Sequence, residues 1–173
     1  MDNRNFILLV IVCVLTHIVR TIYEILKHKK ILQASKLSFV IIFANMAVLW
    51  ISWFLLCRFD VYKIELPSVI SYFGAALSLL GAALFFTALF TIKTLETYNG
   101  DLITKGIYSK IRHPMYLGFI LWLIGPPLFY TAVTSVALAV IFVANVLFWR
   151  YLEEIELGKR FAGYKEYKVR TFF

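Results

Sequence analysis

The sequence predicts an all-α integral membrane protein with about five transmembrane helices, a C-terminal helical hairpin and an interfacial tail helix. Hydrophobic residues make up 61% of the 173-residue chain, and the mean hydropathy is +0.80, whereas a soluble domain is nearer half apolar. Only 16% of the residues are charged, and most of them lie in clusters between long apolar runs. The excess of apolar residues therefore requires lipid rather than a larger protein core.

Three segments in the first half of the chain are each long enough to cross a bilayer. The predicted spans are residues 6–26, 37–57 and 68–92, and each reaches the roughly 20 residues that cross a ~30 Å hydrocarbon core. The second and third contain no charged residue. The first ends in His17, Arg20 and Glu24 rather than in a small-residue cleavage site, so we do not expect a cleavable signal peptide.

The second half of the chain predicts a helical hairpin. A polar stretch, residues 93–113, precedes apolar sequence that resumes at Met115 and runs to Trp149. The sequence Gly125-Pro126-Pro127 interrupts it, and two prolines after a glycine should stop a helix and form a turn. The first helix of the hairpin would be short, and a re-entrant hairpin that does not fully cross is the alternative. We divide the chain into an N-terminal three-helix region, 1–92, and a C-terminal region, 93–173, within one compact unit.

The distribution of lysine and arginine predicts the orientation. Basic residues should flank the cytoplasmic ends of the spans, and the first loop, the third loop and the C-terminal tail carry most of them, while the other two loops are poor in net positive charge. We therefore predict the N-terminus outside and the C-terminus in the cytoplasm. The basic residues are Lys27, Lys29, Lys30 and Lys36; Lys93, Lys105, Lys110 and Arg112; and Arg150, Lys159, Arg160, Lys165, Lys168 and Arg170.

Topology and anionic lipid headgroups account for the net charge of +8, so we predict membrane lipids rather than nucleic acid as partners. Cys13 and Cys57 lack the spacing of metal ligands and are predicted to be buried small hydrophobic residues, with no metal site. Nothing in the sequence indicates an oligomeric state.

Two polar or small-residue patterns lie within the spans and leave alternatives open. His17, Arg20 and Glu24 share one face of the first helix; Arg20 and Glu24 either extend to the interface or contribute to a ligand pocket. In the third span Gly74, Ser78 and Ala82 recur every four residues, which favours close helix packing within the protein over a dimer contact.

A segment dense in hydrogen-bonding groups stands directly before the hairpin. Residues 100–118 read G-D-L-I-T-K-G-I-Y-S-K-I-R-H-P-M-Y-L-G. Pro114 suits the first turn of a helix, because its missing N–H would have no helical partner there. The free N–H groups of that turn, with Arg112 and His113 beside them, favour an anionic group such as an amino-acid carboxylate.

Glu153 and Glu154 follow the last span. Adjacent residues do not share a helical face, so one glutamate can face inward while the other faces outward. Glu154 can pair with Arg150 at the i,i+4 spacing. Considered alone, the two would be an acid pair on an interfacial helix.

The two segments together resemble the superfamily of isoprenylcysteine carboxyl methyltransferases and phospholipid N-methyltransferases. The second one reads E-E-x-x-L-x-x-x-F-A-G-Y-K-E-Y-K-V-R and follows the hairpin. The resemblance implies S-adenosylmethionine bound in a pocket closed by both segments. No G-x-G-x-x-G after a strand occurs in the chain, as expected for a site outside a Rossmann fold. The tail Phe161-Ala162-Gly163-Tyr164 is one residue shorter than the F-G-x-x-Y of many members.

The resemblance also implies roles for individual residues. Glu153 and Arg170 are predicted to be catalytic. Tyr164, Tyr167 and Arg170 are predicted to bind the acceptor. The predicted cofactor-binding residues are Leu102, Lys105, Gly106, Tyr108, Arg112, His113, Pro114, Tyr116, Gly118, Glu153 and Glu154.

The predicted function is therefore methyl transfer from S-adenosylmethionine to a lipophilic acceptor that enters from the bilayer, at the cytoplasmic face. Carboxyl O-methylation is favoured on the strength of Arg170, since a guanidinium can hold a carboxylate through two parallel hydrogen bonds. The amine of phosphatidylethanolamine and a small lipophilic thiol or hydroxyl are alternative acceptors. Two other functions stay open: a nicotinamide-dependent reductase of the sterol-reductase type, whose members are usually longer, and a non-catalytic membrane scaffold.

Overall fold

The structure, a computed structural model, describes residues 3–32, 35–92 and 101–173. Five apolar helices and one short terminal helix form it. In this part of the chain the β-structure is limited to two isolated bridges, which confirms the predicted all-α class. Lys93 and Gly100 lie outside the described residues. The helices are α1 (Asn3–His28), α2 (Lys36–Arg58), α3 (Ser68–Ile92), α4 (Pro114–Phe129), α5 (Val133–Arg160) and α6 (Tyr164–Arg170).

Helix length confirms an integral membrane protein. Four helices, α1, α2, α3 and α5, are long and apolar enough to cross a bilayer, and α4 is a shorter apolar helix of 16 residues. At a rise of ~1.5 Å per residue α4 is about 24 Å long, short of the ~30 Å hydrocarbon core. The 28 residues of α5 extend about 42 Å. The last turns of α5 therefore continue beyond the apolar layer.

The prediction of a turn at Gly125-Pro126-Pro127 is wrong. These residues lie inside α4, which ends at Phe129, and the chain reverses just after it. Prolines remove the helical hydrogen bonds that their N–H groups would have donated, but so close to the end of the helix the loss is limited. The Tyr130 N–H donates to the Pro126 carbonyl at 2.9 Å, and the Ala132 N–H donates to the Pro127 carbonyl at 2.8 Å.

Glycines hold α3 and α4 together in antiparallel contact. Gly74 packs against the backbone at Gly125, and Gly81 packs against Gly118. A Cβ atom added at Gly118 would lie 2.6 Å from the Gly81 carbonyl oxygen. The packing alternative for the third span is thus confirmed, with Gly74, Ser78 and also Gly81 in the contact. Spacings of seven residues in both helices keep the two glycine pairs on one seam.

A buried carboxylate joins the ends of α2 and α5. Asp60, in the loop after α2, is 6% exposed. Its Oδ2 accepts hydrogen bonds from the Ser135 N–H at 2.7 Å and the Ser135 hydroxyl at 2.8 Å, and its Oδ1 accepts one from the Tyr62 N–H at 2.9 Å. Asp60 therefore satisfies a free N–H group in the first turn of α5. Cys13 and Cys57 are buried and free, as predicted.

Candidate functional site

A cavity of about 850 Å³ lies between the helices at the end of the bundle where α1, α3 and α5 terminate. We call this the basic end, because the lysine-rich end of α1, the segment 101–113 and the C-terminal tail meet there. One half of the cavity is polar and is lined by charged residues of α1, α5 and the segment 101–113. The other half is apolar and is lined by α2 and α3. The charged residues are Arg20, Glu24, Lys27, Lys30, Asp101, Arg112, Glu153, Glu156 and Arg160.

The segment before α4 forms one wall of the polar half. A single 3-10 turn, Gly106–Ser109, begins at Gly106 with a φ of +58°, a conformation that favours glycine. The turn directs Tyr108 into the cavity wall. Burial, together with the nearby Glu153 carboxylate, raises the pKa of Tyr108 above its ordinary value. The Tyr108 hydroxyl therefore stays neutral and can act as a hydrogen-bond donor.

The first turn of α4 borders the same half. Pro114 occupies the first turn of this helix, as predicted, and His113 precedes it as the N-cap residue. His113 is 4% exposed, and His113, Met115 and Tyr116 line the cavity. The His113 Nε2 lies 3.3 Å from Glu154 Oε1 and 3.4 Å from the Tyr164 hydroxyl. The free N–H groups of this turn thus lie next to the polar half of the cavity.

Glu153 and Glu154 face different surroundings, as the helical geometry predicts. Glu153 lines the cavity and interacts with the Tyr116 hydroxyl. Glu154 lies behind the wall in an ion-pair cluster, where Arg112, Arg150 and Lys168 approach its oxygens at 2.9, 3.1 and 2.6 Å. The predicted pairing of Glu154 with Arg150 is confirmed. The structure does not bring Glu154 into contact with the cavity.

Arg112 fastens the C-terminal tail to the wall. Besides its bond to Glu154, its Nη1 donates to the Lys168 carbonyl at 3.0 Å and to the Thr171 carbonyl and hydroxyl at 3.0 and 3.2 Å. The Arg112 N–H donates to the Phe172 carbonyl at 2.9 Å. The tail therefore folds back under the first motif, as predicted, and much of the hydrogen-bonding capacity of Arg112 is used within the protein.

Two tyrosines of α6 also hold the C-terminal tail against the cavity wall. Tyr167 lines the cavity, and its hydroxyl donates to the Tyr108 carbonyl at 2.7 Å. Tyr164 is buried behind it, next to His113. Burial raises the pKa of both tyrosines. Both hydroxyls therefore remain protonated, and the hydrogen bond from Tyr167 to the Tyr108 carbonyl fixes the position of the tail.

The structure does not bring every predicted residue to the cavity. Arg170 is exposed at the end of α6 and does not line the cavity, because Arg112 occupies the inner side of this helix end and binds the Lys168 and Thr171 carbonyls. Lys105 is exposed beside the 3-10 turn. Gly118 lies on the seam with α3, where Gly81 occupies the space in front of it. Leu102 does line the cavity, whereas Pro114 is buried next to it.

For Arg20 and Glu24 of α1 the sequence left two alternatives, extension to the interface or a place in a pocket, and the structure places both residues at the cavity. Arg20 and Glu24 form an ion pair with side chains only 15% and 7% exposed, and both line the cavity. His17 does not line it. Its ring stacks on Phe142 at 4.0 Å between centroids, and its Nδ1 lies 3.1 Å from the Asn145 side-chain nitrogen. His17 therefore packs α1 against α5.

Sequence reasoning missed the apolar half of the cavity. Phe43, Met46 and Trp50 of α2 and Phe85 and Leu89 of α3 face each other across it. Among the described residues α2 and α3 meet at Trp50 and Phe85, whose ring centroids lie 4.5 Å apart, but few backbone contacts join the two helices. Since both helices line the cavity between this ring contact and the basic end, we infer a gap towards the surrounding lipid there. The sequence carries no signal for this surface, because these residues resemble every other apolar residue of the spans.

Comparison with known proteins adds an independent observation. The sequence profile of the phospholipid methyltransferase family matches residues 69–163, more than half of the chain. The chain belongs to this family. The match begins with α3 and ends before α6, so it includes the first turn of α4 and both glutamates, whereas α1 and α2 lie outside it. The superfamily predicted from the two motifs is thus confirmed.

Two curated relatives from Arabidopsis thaliana are similar to this member of the phospholipid methyltransferase family. Protein-S-isoprenylcysteine O-methyltransferase B is 30% identical over 113 residues, which cover 60% of this chain and 51% of the relative. Protein-S-isoprenylcysteine O-methyltransferase A is 33% identical over 79 residues, which cover 45% of this chain and 34% of the relative. The matches thus span about half and a third of the length of these relatives. No solved structure matches the chain.

Proposed function

We propose that this protein transfers a methyl group from S-adenosylmethionine to the carboxylate of a lipophilic, isoprenylcysteine-like acceptor. The observation that carries the proposal is a cavity with a charged half and an apolar half. Such a cavity suits two ligands at once, a soluble charged cofactor and an acceptor with a hydrocarbon chain. Membership of the phospholipid methyltransferase family and the names of the two relatives support it.

The groups in the polar half fit this cofactor. Small-molecule clefts measure about 300–1,000 Å³, so a cavity of about 850 Å³ has room for a cofactor and part of a chain. S-adenosylmethionine carries an ammonium, a sulfonium, ribose hydroxyls and a carboxylate. Glu153 and Glu156 match the cationic and hydroxyl groups, while His113 and the first turn of α4 match the carboxylate. We propose that Glu153, Tyr108, Tyr116, His113 and Leu102 hold the cofactor.

The residues of this chain would act by binding and orientation. When bound, S-adenosylmethionine supplies a methyl group attached to a positively charged sulfur. Glu153 would place a negative charge next to that group, and the aromatic walls would keep water away from it. The new O–CH₃ bond would form as the S–CH₃ bond breaks, and the neutral thioether S-adenosylhomocysteine would leave. A carboxylate acceptor is already ionised near neutral pH, so it needs no general base. Holding two reactants in line can contribute ~7–11 kcal/mol in favourable cases.

The gap between α2 and α3 gives a lipophilic acceptor a path into the cavity. Phe43, Met46 and Ala47 line one side of the path and Phe86 and Leu89 the other. A hydrocarbon chain can pass from the bilayer to these side chains without crossing water. Since each buried CH₂ group contributes ~0.8 kcal/mol when it leaves water, an acceptor that stays in apolar surroundings keeps this stabilisation.

The description of the matching family names a second acceptor class. The family is described as phospholipid methyltransferase, which supports the amine of phosphatidylethanolamine as an alternative acceptor. Such an amine must lose a proton before or during transfer, whereas a carboxylate need not. The names of the two relatives favour the carboxylate.

A binding and transfer experiment on detergent-solubilised protein tests the proposal. Titration calorimetry should show binding of S-adenosylmethionine and none of NADPH. Radiolabelled cofactor should then transfer its methyl group to N-acetyl-S-farnesylcysteine, giving a base-labile ester. Label in phosphatidylethanolamine instead would select the second acceptor. Binding of NADPH without S-adenosylmethionine would contradict the proposal and favour a reductase.

A further inference from the structure

The Arg20–Glu24 ion pair lies within a helix long and apolar enough to cross the membrane. The two side chains are one helical turn apart on α1 and are almost completely buried. Placing charges at this depth is costly even when they are paired, and an apolar residue at either position would serve the span better. Ion pairs in membrane spans commonly mark ligand sites. Both residues line the cavity, so a ligand can reach them.

A row of aromatic rings leads from Arg20 to the gap between α2 and α3. The Arg20 guanidinium carbon lies 5.8 Å from the centre of the Trp149 ring. Trp149 stacks with Phe119 at 6.2 Å between centroids, Phe119 lies 6.1 Å from Trp50, and Trp50 lies 4.5 Å from Phe85. Since all five residues line the cavity, a hydrocarbon chain that enters through the gap and lies along these rings ends at Arg20.

The other side of the pair faces the polar half. Trp149, over whose ring the Arg20 guanidinium lies, is one helical turn before Glu153 on α5, and Glu153 interacts with the Tyr116 hydroxyl. Tyr116 belongs to the first motif, and Glu153 to the second. The ion pair of α1 therefore lines the same cavity as the proposed cofactor residues. The reactive head of an acceptor has to lie at such a junction, between its own chain and the methyl donor.

We propose that Arg20 binds the carboxylate of the acceptor and that Glu24 holds the guanidinium in place. This inference rests on the proposed carboxyl methylation and deepens it. A guanidinium can bind a carboxylate through two parallel hydrogen bonds and so fix its orientation. Arg20 thereby takes the role that the sequence assigned to Arg170. Because α1 lies outside residues 69–163, acceptor selection would reside in a part of the chain that the family profile does not include.

The test compares an acid with its ester, because only the acid carries the charge that Arg20 would bind. N-acetyl-S-farnesylcysteine and its methyl ester are titrated into the detergent-solubilised full chain without cofactor. Binding is followed by the fluorescence of the tryptophans that line the cavity. Wild type should bind the acid about tenfold more tightly than the ester, which corresponds to ~1.4 kcal/mol. Arg20→Gln should abolish this preference. Arg20→Lys should keep part of it, because lysine retains the positive charge but cannot form two parallel hydrogen bonds.

Controls separate acceptor binding from other effects. S-adenosylmethionine affinity in Arg20→Gln should stay within about threefold of wild type. Arg58→Gln, an exposed arginine at the opposite end of the bundle, should keep the full acid preference. If Arg20→Gln does not fold, the double variant Arg20→Gln/Glu24→Gln replaces the ion pair by two neutral amides and serves in its place.

Two results would overturn the inference: no preference for the acid in wild type, or an unchanged acid preference in Arg20→Gln. Failure of the proposed methyl transfer would give a different result from failure of the Arg20 inference. Wild-type protein would then bind the acid with the expected preference but transfer no methyl group to it.

Discussion

Glu153 and Glu154 are adjacent in the sequence but lie in different surroundings. Glu153 lies in the wall of the cavity, while Glu154 is surrounded by Arg112, Arg150 and Lys168. The ~100° between successive helical residues points one carboxylate inward and the other towards the tail. Their substitution should therefore have different consequences, with Glu153 affecting ligand binding and Glu154 the attachment of the tail.

Replacing Glu153 tests the cofactor half of the cavity. We expect Glu153→Gln to bind S-adenosylmethionine roughly tenfold or more weakly, because a hydrogen bond to a charged group contributes ~1.5–3 kcal/mol. Titration calorimetry in detergent measures this directly. Glu65→Gln, an exposed acid at the opposite end, is the matched control and should bind as wild type. Wild-type affinity in Glu153→Gln would remove this residue from the proposed cofactor site.

Asp60 gives a second prediction at the scale of a single residue, concerning stability rather than binding. Its carboxylate accepts three hydrogen bonds, from Tyr62 and Ser135. In Asp60→Asn an NH₂ group must face at least one of these donors, which should lower the free energy of unfolding by about 1–3 kcal/mol. Circular dichroism melting in detergent measures the change, with Glu65→Gln as the control in the same loop. An unchanged melting temperature would show that Asp60 is not needed to cap α5.

At the scale of elements, the contact between α3 and α4 sets the shape of the cavity. The glycine pairs let the two backbones approach until a single added Cβ atom would collide with a carbonyl oxygen. This contact aligns the start of α4, with His113 and Tyr116, against the end of α3. On its other side α3 leaves the gap towards α2. Helix α3 thus lines the apolar half of the cavity and, through α4, positions residues of the polar half.

The close contact between α3 and α4 predicts that an added side-chain atom will destabilise the protein. In Gly118→Ala the new Cβ would lie 2.6 Å from the Gly81 carbonyl oxygen, so the helices must separate. Overpacking of this kind costs about 1–3 kcal/mol and should lower the melting temperature in detergent. Gly163→Ala is the control, because no atom lies within 4 Å of a Cβ added there. Equal melting temperatures for the two variants would contradict the close contact.

At the scale of the whole molecule, the cavity requires both parts of the chain. Arg20 and Trp50 come from the first three helices, and Tyr108 and Glu153 come from the segments that follow. The bilayer also contributes, since it supplies an apolar surrounding at the gap between α2 and α3. The polar half lies at the basic end, where the proposed cofactor would enter.

Orientation in the membrane provides a prediction about the whole molecule. By the positive-inside rule the basic end should face the cytoplasm. In a background in which Cys13 and Cys57 are replaced, an impermeant thiol reagent should label Lys110→Cys and Lys165→Cys from the cytoplasmic side and Glu65→Cys from the other side. All three positions are exposed. Labelling of positions 110 and 165 from opposite sides would contradict the five-crossing arrangement and separate the two halves of the site.

The sequence by itself determined the features that depend on local composition and spacing. Long apolar runs specify the membrane helices, because each must satisfy its backbone hydrogen bonds internally in lipid. Pro114 fixes the start of α4, and the i,i+4 spacing pairs Glu154 with Arg150. The family followed from two motifs. The prediction of a turn at Gly125-Pro126-Pro127 was wrong, because prolines also occur near the end of a helix without forming the turn themselves.

Only the tertiary structure decided which residues of these helices meet. The sequence assigned a carboxylate to Arg170 and left Arg20 between the interface and a pocket, yet Arg20 lines the cavity and Arg170 is exposed. The spacing of Gly118 within its motif gave no indication that Gly81 fills the space beside it. Packing between helices depends on contacts between residues far apart in the chain, and in an apolar span every face is equally compatible with lipid. Hydrophobicity can therefore place a helix in the membrane, but it cannot select the face that lines a site.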